Sequence, residues 1–191
     1  MGTARWDPAD WKAYAGATKG RSTSAIFGRR ALHDALDPRR IPLRESRDSA
    51  KNPRSTAIIC ALDVTGSMGM IADALARQGL GTLVEEILRR KPVSDPHVMC
   101  MGVGDATCDQ APLQVTQFEA DIRIAEQLQE LWLEKGGGGN CFESYDLPWY
   151  FAAMHLSLIH ISEPTRQAGS PRPGCRGPGA PARRRSCPSS R

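Results

Sequence analysis

The alternation of apolar and polar positions is most informative at residues 57–69, Ala-Ile-Ile-Cys-Ala-Leu-Asp-Val-Thr-Gly-Ser-Met-Gly. An uninterrupted apolar run ends at Asp63, and a helical pattern begins shortly afterwards. A short apolar run between polar residues is typical of a strand buried on both faces of a parallel sheet. We therefore predict a buried strand at 57–62, followed by a polar cluster that contains Asp63, Thr65 and Ser67.

The hydrophobic pattern beyond this strand predicts further helices and strands in alternation. Gly79 and Gly81 are expected to weaken the middle of the first helix. The second apolar run, at 98–103, and the alternating segment at 113–118 predict a hairpin. Its edge strand is expected to have one face exposed to solvent. The predicted elements are a helix at 68–90, strands at 98–103 and 113–118, an amphipathic helix at 119–135, and a helix at 147–155 with Asp146 as its N-cap. This order predicts an α/β fold with a mainly parallel sheet flanked by helices.

The first 55 residues are less regular and end in a polar, turn-rich linker at 44–56. Asp7-Pro8 precedes a short helical pattern at 9–15, as expected for an N-cap followed by proline in the first turn. A second helical pattern covers 24–36 and stops at Asp37-Pro38. The sequence thus predicts an N-terminal region with short helices.

Charge divides the chain into three populations. Residues 1–55 carry 12 Lys/Arg against 6 Asp/Glu, residues 56–155 carry 6 against 14, and residues 156–191 carry 7 against 1. The acidic middle gives no support to a nucleic-acid-binding surface and is compatible with divalent cations. The basic N-terminal region is expected to lie as a strap over this acidic domain, the alternative being an arm that grips an acidic partner.

Targeting and redox signals point to the cytoplasm. No run of about 18 apolar residues is present, so no membrane span is expected. The first residues lack the apolar segment of a secretory signal. The cysteines are scattered, and Cys60 and Cys100 fall inside predicted strands, where we interpret them as reduced core thiols.

The C-terminal part differs in character from the rest. Residues 167–191 consist almost wholly of Gly, Pro, Ser, Ala, Arg and Cys, a composition that cannot bury a core. The eleven residues at 156–166, Leu-Ser-Leu-Ile-His-Ile-Ser-Glu-Pro-Thr-Arg, resemble the conceptual translation of a transposase adapter used for sequencing libraries. We therefore expect a non-native tail at 156–191, an N-terminal arm or linker at 1–55, and a domain at 56–155 that is incomplete at its C-terminus.

The polar cluster supplies one carboxylate and two hydroxyls at the end of a strand. Hard oxygen ligands of this kind suit Mg²⁺ or Mn²⁺. A second interpretation is a simple turn and helix cap, in which Asp63 accepts backbone hydrogen bonds. A third is a serine hydrolase with Ser67 as nucleophile and His97 or His155 as base, since residues 65–69 are similar to a nucleophile elbow.

Ala-Leu-Asp-Val-Thr-Gly-Ser-Met-Gly is similar to the first motif of the metal-ion-dependent adhesion site of von Willebrand factor A-type domains, Asp-x-Ser/Thr-x-Ser after the first strand. The resemblance covers roughly residues 56–155 and implies a Rossmann-like sheet between helices. It assigns Asp63, Thr65 and Ser67 as metal ligands. The family's second motif has a threonine after a Gly-rich loop, and here Asn140 follows Gly136–Gly139, so that ligand is Asn140, a shifted Ser144, or absent.

The family's third motif, an aspartate after a later strand, is expected beyond His155. Asp105 is an additional acid near the second strand, without an assigned role. The resemblance implies a non-catalytic domain that binds a partner protein, with Mg²⁺ accepting a Glu or Asp side chain of that partner.

Overall fold

Helices and strands alternate along the chain in a computed structural model that describes residues 4–66, 68–134 and 143–157. The strands are β1 Arg44–Glu45, β2 Ser55–Asp63, β3 Asp95–Val103, β4 Leu113–Val115 and β5 Leu156–Ser157. The helices are α1 Pro8–Thr18, α2 Thr23–Ile26, α3 Gly69–Ala74, α4 Leu80–Arg90, α5 Arg123–Gln129 and α6 Asp146–His155. A π-helical turn at Leu75–Gly79 joins α3 to α4, and 3-10 turns occupy Asp34–Leu36 and Pro38–Arg40.

The central sheet has the order β2-β3-β4. β2 and β3 run parallel, with Ser55 opposite Asp95 and Asp63 opposite Val103, whereas β4 runs antiparallel to β3. β1 and β5 form a separate parallel pair. The predicted α/β fold with a mainly parallel sheet flanked by helices is therefore confirmed. β5 is built from the first two residues of the adapter-like stretch, and residues 158–191 lie outside the described part.

Two hydrophobic clusters cover the two faces of the sheet. Cys100 of β3 belongs to the first cluster, with residues of α3, α4 and α5, and Ile58 and Leu62 of β2 pack against it. Met99 and Met101 of β3 belong to the second, which also contains residues of β4 and α6. The alternation of side chains along β3 thus sends successive residues into opposite layers, as the pleat of a strand requires.

Burial of β2 differs from the expectation. We predicted that the strand at 57–62, which is β2, is buried on both faces, but β2 is only partly covered. The fully buried strand is β3, all nine of whose residues are buried. Ala57 and Ala61 are exposed, and Ile59 retains 38% of its accessible surface. The reason is position: within the described residues β2 lies at the edge of the sheet, and no helix covers this part of its second face.

The predicted helix at 68–90 is confirmed. Its irregular part is the π-helical turn between α3 and α4, and this turn ends at Gly79. α1 begins at the predicted Asp7 cap, whose carboxylate accepts the Ala9 N–H at 2.8 Å. α6 covers the predicted 147–155 segment, but it begins at Asp146 itself with Tyr145 in the N-cap position and no side-chain cap bond, so the predicted Asp146 cap is wrong. These three helices have strong local signals in the sequence.

Two predicted helices are shorter than expected. The 24–36 pattern yields only α2 and a 3-10 turn, and the 119–135 pattern yields only α5. The Gln114 side chain explains the second difference, because it accepts the Trp132 N–H and donates to the Trp132 carbonyl, both at 2.9 Å. This pairing draws the chain after α5 alongside β4. It also buries Gln114 completely, so the predicted wet face of that strand is wrong.

The N-terminal region packs against the chain's own domain. Trp6, Trp11 and Tyr14 lie against the first hydrophobic cluster. Arg5 pairs with Asp95 at 3.2 Å, and another ion pair joins Arg29 to Glu130. These contacts are those of a strap over an acidic domain. Among the described residues, no helix has the length and apolar character needed to cross a membrane.

Candidate metal centre

The turn after β2 is closed by Asp63. Its Oδ1 accepts the Thr65 N–H at 2.8 Å and the Thr65 hydroxyl at 2.6 Å. The Thr65 carbonyl in turn accepts the N–H groups of Met68 and Gly69, which starts α3. A short side chain that bonds two residues ahead in this way is the usual chemistry of an Asp turn. The turn holds the Asp63 carboxylate at the carboxyl end of β2.

The same turn recurs after β3. Asp105 Oδ1 accepts the Thr107 N–H at 2.8 Å and the Thr107 hydroxyl at 2.7 Å. Asp109 folds back to accept the Asp105 N–H at 2.7 Å. A side chain at Gly104 would not fit there, because a Cβ would lie 2.5 Å from Asp109 Oδ2. Two Asp-x-Thr turns therefore stand at the adjacent carboxyl ends of two parallel strands, the edge where ligands bind in open α/β sheets.

A third segment, residues 143–145, is fixed to this edge by Ser144. Its N–H donates to the Gly104 carbonyl at 3.0 Å, and its hydroxyl accepts the Ala106 N–H at 3.0 Å. These two bonds hold Glu143 against the ends of both strands. Ser144, a predicted alternative ligand, therefore anchors the segment at the predicted edge, with its hydroxyl bonded to backbone.

The electrostatic surroundings of Glu143 are unusual. Burial raises the pKa of its carboxyl above the ordinary glutamate value, and the negative charges of Asp63, Asp105 and Asp109 raise it further. The Thr65 hydroxyl acts in the opposite direction. That hydroxyl has one hydrogen and already donates it to Asp63, so it cannot serve both carboxylates at once. Burial also raises the pKa of the Tyr145 hydroxyl, and the negative charges of Asp63 and Glu143 raise it further.

One oxygen of Glu143 has no hydrogen-bond partner among the described residues. Glu143 Oε2 is buried and accepts no hydrogen bond from the described residues. Leaving a buried carboxylate oxygen unsatisfied costs free energy on the order of 1–3 kcal/mol. A proton or a cation at this position would remove that cost.

The predicted ligands are only partly described. Asp63 and Thr65 lie where the sequence placed them, whereas Ser67 and Asn140 lie outside the described residues. Within the described part, no three His, Cys, Asp or Glu side chains converge closely enough to bind a metal ion by themselves. The donor set nevertheless fits a hard cation, since such sites combine few carboxylates with hydroxyls and water.

Sequence reasoning missed three acids of this site. Asp109 and Glu143 had no assigned role in the sequence, and Asp105 was noted only as an additional acid. The spacing Asp105-x-Thr107 repeats Asp63-x-Thr65 at the end of the next strand, which is a signal that a comparison of the two strand ends can find.

Of the hydrolase interpretation, the nucleophile Ser67 lies outside the described residues, and His97 lies away from this edge. His97 lies near the amino end of β3, six residues before Val103, so about 20 Å of strand separates it from the Asp63 end. It is completely buried, with its Nδ1 3.0 Å from the Ser46 hydroxyl. His155, at the end of α6, stacks on Phe151 with ring centroids 4.9 Å apart.

An apolar surface adjoins the acidic turn. Thr65 lines a cavity of about 220 Å³ with Met70 and Leu133. Met70 is 72% exposed and Ile71 is 42% exposed, both in the first turn of α3. The candidate site thus has exposed apolar side chains next to its acidic turn.

Fold and site define an α/β domain with carboxylates gathered at the ends of two parallel strands. Comparison with known proteins adds no relative: no family model, no curated protein and no solved structure matches this chain. The resemblance to von Willebrand factor A-type domains therefore rests on the first motif and the order of elements alone.

Proposed function

We propose that this chain is a non-catalytic, divalent-cation-dependent protein-binding domain, with Mg²⁺ or Mn²⁺ held at the carboxyl ends of β2 and β3. The observation that carries the proposal is the buried Oε2 of Glu143, which accepts no hydrogen bond from the described residues and lies in the field of the Asp63, Asp105 and Asp109 charges. A cation satisfies this oxygen and offsets the repulsion among the carboxylates, whereas a water molecule satisfies only the oxygen.

Asp63, Thr65 and Glu143 are the described residues that would hold the cation. The resemblance adds Ser67 and Asn140 as further oxygen ligands. A bound cation with a ligand set of this kind offers a coordination position to a Glu or Asp carboxylate of a partner protein. Met70 and Ile71 provide apolar area around that contact.

The cytoplasm is the proposed compartment. Cys60 and Cys100 lie directly opposite each other on β2 and β3, and both are free thiols. Structural thiols of this kind persist where the environment is reducing. Burial raises the pKa of both thiols, which keeps them protonated and unreactive.

Isothermal titration of the full chain with Mn²⁺ and Mg²⁺ tests the cation site. Asp63→Asn keeps the acceptor of the turn and removes the charge, and Glu143→Gln removes the second charge, so each variant should weaken binding at least about tenfold. Glu85→Gln, an exposed acid on α4, is the matched control and should bind as the wild type does. Wild-type affinity in both site variants would contradict the assignment.

Partner recognition is tested with Mn²⁺ bound to the full chain and a short peptide that contains one aspartate. The peptide should displace water from the ion and lower the water-proton relaxation enhancement, whereas the same peptide with asparagine should not. Equal effects of the two peptides would show that the ion does not receive a carboxylate.

A further inference from the structure

The guanidinium of Arg77 joins three segments of the chain. Its Nε donates to Asp73 Oδ2 of α3 at 2.7 Å. Its Nη1 donates to the Thr18 carbonyl at 3.1 Å, and its Nη2 donates to the Arg21 carbonyl at 2.6 Å. Arg77 itself lies in the π-helical turn between α3 and α4. One side chain therefore ties the helical layer to two points of the strap.

The two carbonyls lie where the strap turns after α1. Thr18 is the last residue of α1, and its carbonyl also accepts the Arg21 N–H at 3.2 Å. Gly20, between them, has a φ of 78°, a conformation that glycine adopts at little cost. The carbonyls at the end of a helix carry its negative partial charge, which attracts a cation such as guanidinium. Arg77 therefore fixes this turn of the strap against α3.

The strap reaches the candidate cation site directly after this turn. Thr23, which begins α2, comes two residues after Arg21. Thr23 lines the same cavity as Thr65, whose N–H and hydroxyl both donate to Asp63. The strap therefore lies beside the Asp63 turn, and Arg77 anchors it close to that contact.

The helix α3 connects Arg77 to the same turn by a second route. The Thr65 carbonyl accepts the Gly69 N–H at 3.1 Å, and α3 begins at Gly69. Arg77 follows roughly 12 Å further along the helix axis. It lies in a π-helical turn, and such turns inside helices are frequent at functional sites. The Asp63 turn is thus held between the strap and α3, and Arg77 joins the two.

We propose that Arg77 is a positioning residue for the cation site. By joining the strap to α3, it keeps the Asp63 carboxylate and the Thr65 hydroxyl in the geometry that binds the cation. The inference rests on the proposed cation site and adds to it a residue outside the strand ends. Arg77 acts through the strap and α3, and its own charge has no favourable part in binding.

The charge of Arg77 and its positioning role have opposite effects on cation binding. A guanidinium repels a metal cation, so loss of the charge alone should tighten binding. Loss of the link between the strap and α3 should weaken binding, because the ligands are then no longer preorganised. A change in global stability alone leaves the affinity of the folded chain unchanged. The direction of the change in affinity therefore distinguishes the three effects.

Isothermal titration of the full chain with Mn²⁺ measures this direction. Arg77→Gln should weaken binding at least about threefold. Arg77→Lys keeps the charge and can still donate to a strap carbonyl, so it should restore part of the affinity. Arg89→Gln changes an exposed arginine of α4 that pairs with Glu86, and this control should bind as the wild type does. Circular dichroism verifies that all variants fold.

The outcomes separate this inference from the proposed function. Unchanged or tighter binding by Arg77→Gln, in a protein whose wild type binds Mn²⁺, overturns the inference and leaves the cation site in place. A wild type that binds no Mn²⁺ overturns the proposed function and the inference together.

Amide exchange in the presence of a chelator tests the same link without a cation. The Thr65 N–H donates to Asp63 Oδ1, so its exchange rate reports how firmly the turn is closed. Arg77→Gln should accelerate this exchange at least about threefold more than that of the Cys100 N–H, which bonds to Thr116 inside the sheet. Equal acceleration of both amides would show a global loss of stability, and no acceleration would show that the turn closes without Arg77. Either result overturns the proposal.

Discussion

Glu143 shows how one carboxyl reports on its surroundings. Burial and the neighbouring carboxylates raise its pKa, so the folded chain binds this proton more tightly than the unfolded chain does. The ionised form is therefore less favourable in the folded state, and stability is lost as the pH rises from the unfolded pKa, about 4.3, through the folded value. A cation beside the carboxylate reverses this effect.

Glu143→Gln should accordingly raise the stability at pH 7.5 in the presence of a chelator. The expected gain is about 0.5 kcal/mol, the scale of a partly exposed charge interaction. The gain should disappear near pH 4, where the wild-type carboxyl is protonated as well. Thermal unfolding monitored by circular dichroism measures the difference, with Glu85→Gln as the control. A variant less stable than the wild type at pH 7.5 without cation would contradict this account of Glu143.

His97 has the opposite dependence on pH. It is completely buried, and burial lowers the pKa of its imidazole, although Glu119, Asp95 and Asp48 partly counteract the effect. The unfolded chain therefore takes up this proton first, and stability is lost as the pH falls below about 6.5.

Replacing His97 should flatten the decline of stability between pH 6.5 and 5. Chemical unfolding of His97→Gln at several pH values measures the slope, whatever the absolute cost of the substitution. An unchanged slope in the His97 variant would show that another group causes the acid sensitivity.

At the scale of elements, α1 and α4 fit together through one glycine. A Cβ on Gly81 would lie 2.1 Å from the indole of Trp11, so the two helices approach each other only because position 81 lacks a side chain. The indole also stacks with Tyr14, with ring centroids 5.3 Å apart. The contact joins the strap to the helical layer over the sheet.

Gly81→Ala should destabilise the fold by about 1–3 kcal/mol, the usual cost of overpacking. Gly16→Ala, in α1 with no atom near the added methyl, should instead stabilise by about 0.5–1 kcal/mol. Urea unfolding measures both. In a Trp11→Ala background the Gly81→Ala penalty should vanish, because the clashing ring is gone. A penalty that persists in that background would place the clash elsewhere.

Elements with local signals could be predicted from the sequence, and those set by distant contacts could not. The Asp7 cap and the Asp63 turn bond to residues two positions ahead, so sequence alone locates them. The end of α5 depends on Gln114 bonding Trp132, a contact between separate elements. Glu143 reaches the site through Ser144, whose partners Gly104 and Ala106 lie about forty residues earlier. Nothing local to 143–144 indicates that contact.

At the scale of the whole molecule, apolar burial rather than charge holds the strap. The Arg29–Glu130 pair is partly exposed on both sides, and exposed ion pairs contribute about 0–1 kcal/mol each. In the second pair only Asp95 is buried, and the Arg5 side chain stays 61% exposed. The aromatic side chains of Trp6, Trp11 and Tyr14 instead pack against the main cluster. The separation of charge along the sequence thus orients the strap, and its aromatic residues supply most of the stabilisation.

The same ladder that defines the sheet determines which amides of β2 exchange slowly. Ile58, Cys60 and Leu62 direct their N–H groups to β3, whereas Ala57 and Ile59 direct theirs outward. Amide exchange followed by NMR should therefore alternate along β2 in dilute solution, slow at positions 58, 60 and 62 and fast at 57, 59 and 61. Uniform protection in dilute solution would mean that the edge is covered within a single chain.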